Sequence, residues 1–207
     1  MIEIYAITTD PPPDLSGLGD LQAVRSSGLA AVCAPARDEA VTPELLWERE
    51  ALLETLMSRG DLLPVRYGTR VADEAAAARA LAARQDELMH ALEHVNGAVE
   101  LSLRVQGADR EPRPAARTGA GYLAAKAGAA GERARVRRAV HEPLAELARA
   151  SAHPRIPSGR ELLRAAYLVD RAATGSFAAR VAELQAANSD WRLLCTGPWP
   201  PYSFVGR

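Results

Sequence analysis

The chain has 207 residues, is 48% hydrophobic and carries a net charge of -1, which accommodates one large domain or two small ones. That balance exerts no bulk pull towards nucleic acid or an acidic membrane surface. No apolar run approaches the ~20 residues that span a bilayer.

Only 5% of the residues are aromatic, so a core must rest on Leu, Val and Ala. Met1 to Ile4 begin with a strand-like alternation, not with a basic stretch and an apolar secretory segment. A cytoplasmic protein is therefore expected, with Cys33 and Cys195 as reduced, buried thiols.

Ile2 to Thr8 and Gly28 to Ala34 read as strands, joined by a turn-rich loop holding Pro11-Pro12-Pro13. A helix follows. Thr42 suits its cap, Pro43 its first turn and Gly60 its stop, and Leu45, Leu46, Leu52, Leu53 and Leu56 make its buried face. Leu62 to Tyr67 reads as a short strand. Pro64 cannot donate to a ladder, which places that strand at an edge or Pro64 near its start. A second helix is expected from Asp73 to Val95, with a seam of Ala78, Leu81, Gln85, Leu88, Leu92 and Val95 that Gln85 interrupts.

From Gly97 a new unit begins. Val99, Leu101, Leu103 and Val105 alternate with Glu100, Ser102, Arg104 and Gln106, the pattern of a half-buried strand. Gly107 to Pro114 reads as a polar loop. A long helical region covers Thr118 to Ser151, and Pro143 kinks or restarts it. Leu162 to Asp170 reads as a central strand, Phe177 to Leu184 as a short helix stopping near Asn188, and Trp191 to Thr196 as the last strand. A ferredoxin-like domain needs one further strand between its helices. Only Ala152 to Ser158 leaves room, and Pro154 and Pro157 would make that strand short and peripheral. The expectation is an α+β fold in two domains: a small α+β unit over 1–96, and a ferredoxin-like unit with a long helical region and a closing tail over 97–207.

Catalytic and metal chemistry find little support. His90 and His94 stand four apart on a helix but project away from Leu88, Leu92 and Val95 into solvent, with no third ligand near in sequence. His141 adjoins Glu142-Pro143, His153 precedes Pro154, and both read as surface or kink residues. Neither cysteine has a neighbouring histidine. Gly119-Ala120-Gly121 lacks the spacing of a phosphate loop. No catalytic residue, metal or cofactor is expected. Arg104 to Arg138 holds nine basic residues against three acidic ones, read first as a solvated face and second as a surface for an acidic protein. Nucleic acid is not expected, since only Tyr122 interleaves to stack bases. Arg66 lies in an apolar segment, where it either meets a carboxylate or blunts an edge strand.

Two segments carry a resemblance. Leu63-Pro64-Val65-Arg66-Tyr67-Gly68-Thr69 resembles the "LPVRFGT" element of the gas vesicle GvpL/GvpF family, and Thr196-Gly197-Pro198-Trp199-Pro200-Pro201-Tyr202-Ser203-Phe204 is similar to its "TGPWPPYSF" ending. Gly97-Ala98-Val99-Glu100, Gly121-Tyr122-Leu123 and Ala166-Tyr167-Leu168-Val169 fall between them in the family's order. One departure is visible: where the preceding helix often carries a His, Arg49 leads Glu50-Ala51-Leu52-Leu53-Glu54. The resemblance implies two α+β domains, the second a modified ferredoxin fold. It also implies a non-enzymatic accessory protein of gas vesicle formation, associated with the vesicle. Its partners would be the very hydrophobic shell-forming subunit and other accessory proteins. Pro200-Pro201 presents the flanking rings on a stiff path. The partner-binding candidates are Leu63, Pro64, Arg66, Tyr67, Trp199, Pro200, Pro201, Tyr202 and Phe204. A rival reading is a small-molecule or anion-binding sensor on a ferredoxin-like scaffold.

Overall fold

A computed structural model describes residues 1–37, 40–107, 118–153 and 160–205. The fold is α+β. Its contacts divide the chain into two compact units, Met1–Val99 with Trp199–Arg207, and Glu100–Pro198. The tail thus groups with the first unit, whereas the sequence reading attached it to the second.

In the first unit β1 (Ile2–Thr9) is the centre of a sheet with β2 (Gln22–Ser26), β3 (Leu29–Pro35), β4 (Leu63–Pro64) and β5 (Arg70–Val71). The order is β2-β3-β1-β4, with β5 also on β1, so Pro64 does lie on an edge strand. The strand expected over Leu62 to Tyr67 is only two residues long. The missing donor of Pro64 and the turn that follows cut it short. β2 arises inside the segment read as a loop.

Helix α1 (Pro43–Arg59) has the expected signals: Thr42 Oγ1 accepts from the Leu45 amide, and Gly60 closes the helix. Leu53 and Leu56 are fully buried, but Leu46 is 45% exposed, and Arg49 is buried instead. The helix expected from Asp73 to Val95 breaks at Arg84 into α2 (Glu74–Ala83) and α3 (Gln85–Val95). In α2 Leu81 of the expected seam is buried, but the buried alanine is Ala77 and not Ala78, which is half-buried; in α3 Leu88, Leu92 and Val95 are buried as expected. The break falls where Gln85 interrupts the seam. Ala6, Val32, Leu53, Leu56, Met57, Leu62 and Val99 form a core between α1 and the sheet.

The second unit follows the order β6 (Ala98–Gly107), α4 (Gly119–Val136), a π-turn (Arg137–His141), α5 (Glu142–Ala145), β7 (Ala150–Ala152), β8 (Glu161–Asp170), α6 (Thr174–Ala187) and β9 (Trp191–Trp199). Its sheet runs β7-β8-β6-β9. This is the strand-helix-strand-strand-helix-strand pattern of a ferredoxin-like unit. The extra strand is short and at the edge, and it pairs with Ala166–Leu168. It begins at Ala150, where the sequence reading had helix to Ser151. The polar loop over 108–114 and residues 154–158 of the candidate strand segment lie outside the described residues.

Leu101, Leu103, Val136, Val140, Leu144, Tyr167 and Phe177 belong to its core. His141, read as a surface or kink residue, is buried at 7% exposure. Its Nδ1 lies 2.9 Å from the Tyr167 hydroxyl, and its ring centroid 4.7 Å from that of His153. The π-turn inserts a residue into the helical period and carries His141 inward beside Val140. Cys33 and Cys195 are both free, the first buried and the second half-buried.

Candidate functional site

Glu3 is a carboxylate in an apolar strand, buried at 6% exposure. Burial without a partner would cost several kcal/mol, and Arg49 supplies the partner. Its Nη1 stands 2.8 Å from Glu3 Oε1. Its Nη2 donates to the carbonyls of Ile4 and Val65, each at 2.9 Å. The guanidinium carbon lies 4.2 Å from the Tyr5 ring centre and 5.4 Å from that of Tyr67, within reach of cation–π attraction. One side chain from α1 therefore ties β1 to Val65, the residue that follows β4.

The Leu63–Thr69 motif is largely explained by this framework. Leu63 and Pro64 pair with Ile7 and Ala6, and the Val65 amide donates to Tyr5. The Arg66 carbonyl accepts from both the amide and the hydroxyl of Thr69, closing a turn. Gly68 has φ 77°, a left-handed conformation glycine adopts readily. Its amide donates to Glu3 Oε1 at 3.1 Å. Leu63, Val65, Gly68 and Thr69 thus build the turn. Arg66 is exposed and makes no ion pair among the described residues.

This turn forms one wall of a groove of about 750 Å³. Ile7, Leu63, Pro64, Val65, Arg66, Tyr67 and Thr69 come from the strands and the turn, Leu46, Arg49 and Glu50 from α1, Arg84 and Leu88 from the start of α3, and Tyr202 and Val205 from the tail. Five of the nine candidates read from sequence, Leu63, Pro64, Arg66, Tyr67 and Tyr202, meet here. The other four lie in the tail beside it: Pro200 and Pro201 are buried, and Trp199 and Phe204 are half-buried. Tyr202 is 39% exposed, and its hydroxyl reaches Glu50 Oε2 at 3.4 Å. Burial, with the Glu50 charge behind it, pushes its pKa up to about 12. Sequence reasoning missed Arg49, Glu50, Leu46 and Leu88 as parts of the site. The readable signal for Arg49 was Glu3, a charge in an apolar strand that demanded a cation.

A second cavity, about 140 Å³, shares Arg49 and Tyr67 with the groove and is lined besides by Tyr5, Leu45, Leu52, Glu3, Arg37 and Glu48. His90 and His94 are exposed. Among the described residues no cluster of three or more His, Cys, Asp or Glu could hold a metal, and no helix is long and apolar enough to cross a membrane.

An α+β sheet unit with an arginine-clamped groove, carried by the same chain as a ferredoxin-like unit, defines the class of protein. Over residues 3–206 the sequence matches the family described as gas vesicle synthesis protein GvpL/GvpF, and the chain belongs to that family of gas vesicle accessory proteins. It is 32% identical to gas vesicle protein L of Streptomyces sp. (strain CB03234), over 94% of this chain and 84% of that protein. A shorter stretch, 22% of this chain and 21% of the relative, is 41% identical to gas vesicle protein F2 of Halobacterium salinarum. The fold is that of the crystal structures of gas vesicle protein GvpF from Anabaena sp. PCC7120 and Microcystis aeruginosa. Both give a TM-score of 0.84, at 18% and 16% identity, over all of this chain and 96% and 99% of theirs.

Proposed function

We propose that this chain is a non-enzymatic adaptor or chaperone of gas vesicle assembly. It binds the hydrophobic shell-forming subunit, and other accessory proteins, in the cytoplasm and at the growing vesicle. A subunit that must present an apolar wall to gas exposes surface that aggregates in water, and a soluble partner can cover that surface until assembly.

The observation that carries this reading is the groove. The two segments most like the family's motifs converge on it, and apolar side chains line it beside Arg49, which is committed to Glu3, and Arg84, which is committed to Glu87. Arg49 is held by Glu3 and two carbonyls, which leaves it suited to shape a surface and not to exchange protons with a substrate. The small-molecule or anion-binding alternative would rest on Arg66, which lines this same groove; a thermal-shift screen with nucleotides and small anions separates it from the adaptor reading.

Pull-down of the purified shell subunit by this chain, together with flotation of cells lacking its gene, tests the proposal. Capture of the subunit and loss of floating cells are expected. Normal vesicles in the deletion strain with no capture would refute it.

A further inference from the structure

The groove carries a statement about its occupant that rests on the binding reading above and sharpens it. We infer that it takes an amphipathic helix of the partner, laid apolar face down, with a carboxylate that pairs with Arg66.

The backbone around the groove argues for a helix. A partner added as a strand needs a run of free main-chain donors and acceptors along a sheet edge. The edge strand here, β4, is two residues long. Pro64 has no amide hydrogen, and the Val65 amide is spent on Tyr5. An extended segment buried here would leave its own backbone groups unpaired, which is costly. A helix satisfies its backbone internally and presents only side chains. Helices wall the groove as well, with Leu46 from α1 and Leu88 from α3.

The charges argue for a carboxylate. Arg49 is committed to Glu3. Arg84 is held by both oxygens of Glu87, at 2.9 and 2.6 Å. Glu50 receives the Tyr202 hydroxyl. Arg66 is the groove cation with no ion pair among the described residues, and it is exposed at the rim, where charge governs orientation and encounter more than bulk affinity.

Binding of the purified shell subunit, kept soluble as a fusion, to wild type, Arg66→Ala and Arg66→Glu at two salt concentrations tests this. Arg66→Ala should weaken binding several-fold and reduce its salt dependence. Arg66→Glu should weaken it by about tenfold or more, with unchanged melting temperature, and one carboxylate-to-lysine substitution in the shell subunit should restore the Arg66→Glu variant. A proline placed in the middle of the bound segment should abolish binding, because a helix cannot accommodate it. Wild-type affinity and salt dependence in both Arg66 variants, or tolerance of the proline, overturns the inference while leaving the binding reading intact. Failure of the wild-type chain to bind overturns both.

Discussion

Arg49 on α1 and Glu3 on β1 form a buried ion pair with 2.8 Å between Nη1 and Oε1, and the groove is built around it. Helix, central strand and the Val65 carbonyl are tied at this point, and the Gly68 amide reaches the same carboxylate oxygen. Removing one partner of a buried pair leaves the other charge uncompensated. Arg49→Ala should therefore lower the unfolding free energy by about 3–5 kcal/mol, read by chemical denaturation. A loss below about 1 kcal/mol would place the pair among weak surface contacts.

Gly68 offers a cleaner backbone test. A Cβ there would meet nothing within 4 Å, so Gly68→Ala incurs only its left-handed conformation at φ 77°. The expected cost is about 1–2 kcal/mol, measured by thermal or urea unfolding. No change would mean that the turn relaxes freely.

His141 sets a pH dependence. Burial first, then the His153 and Arg137 charges, lower its pKa from the ordinary 6.5, opposed by Glu142. Tyr167 faces the ring as a hydrogen-bond partner. A folded-state value below the unfolded one means that the unfolded chain binds the proton first as the pH falls. Stability is thus fully present above 6.5 and is lost as the pH drops from there through the folded-state value. His141→Gln, which can still meet the Tyr167 hydroxyl, should flatten that slope in melting temperature against pH. An unchanged slope would assign it to other groups.

The tail is packed at its prolines and loose at its hydroxyl. Pro200 and Pro201 are buried, whereas the Tyr202–Glu50 contact is long and partly exposed. Tyr202→Phe should cost under about 1 kcal/mol. Truncation after Thr196 should lower the melting temperature far more. Spectrophotometric titration should find the Tyr202 phenol ionising near 12, and ionisation near the ordinary value of 10.0 would contradict its placement beside Glu50.

Much of this architecture is written locally. Thr42, Pro43 and Gly60 mark α1, and the Val99–Val105 alternation marks β6, because caps and period-two patterns depend on neighbours in sequence. β2 left no such mark: of Gln22–Ser26 only Val24 is buried, so its pairing with β3 decides it. The α2–α3 break left one mark, Gln85 interrupting the seam, and a single polar residue reads equally well inside one continuous helix. His141 was misplaced because a π-turn shifts the register by one residue. At the site, the two motifs were legible as segments, but their meeting was not. That depends on Arg49 tying β1 to Val65, distant in sequence, and on the chain returning at its end to the first unit.

The central claim is that the groove face is a binding surface. Leu46, 45% exposed, lines the groove, and Trp47, next on α1, is 71% exposed; neither is needed for the core. The most direct test is the affinity of the double variant Leu46→Glu/Trp47→Ala for the shell-forming subunit, measured beside its melting temperature. The account predicts an unchanged melting temperature with binding reduced by tenfold or more, about 1.4 kcal/mol. Wild-type affinity in a fully folded double variant would contradict it.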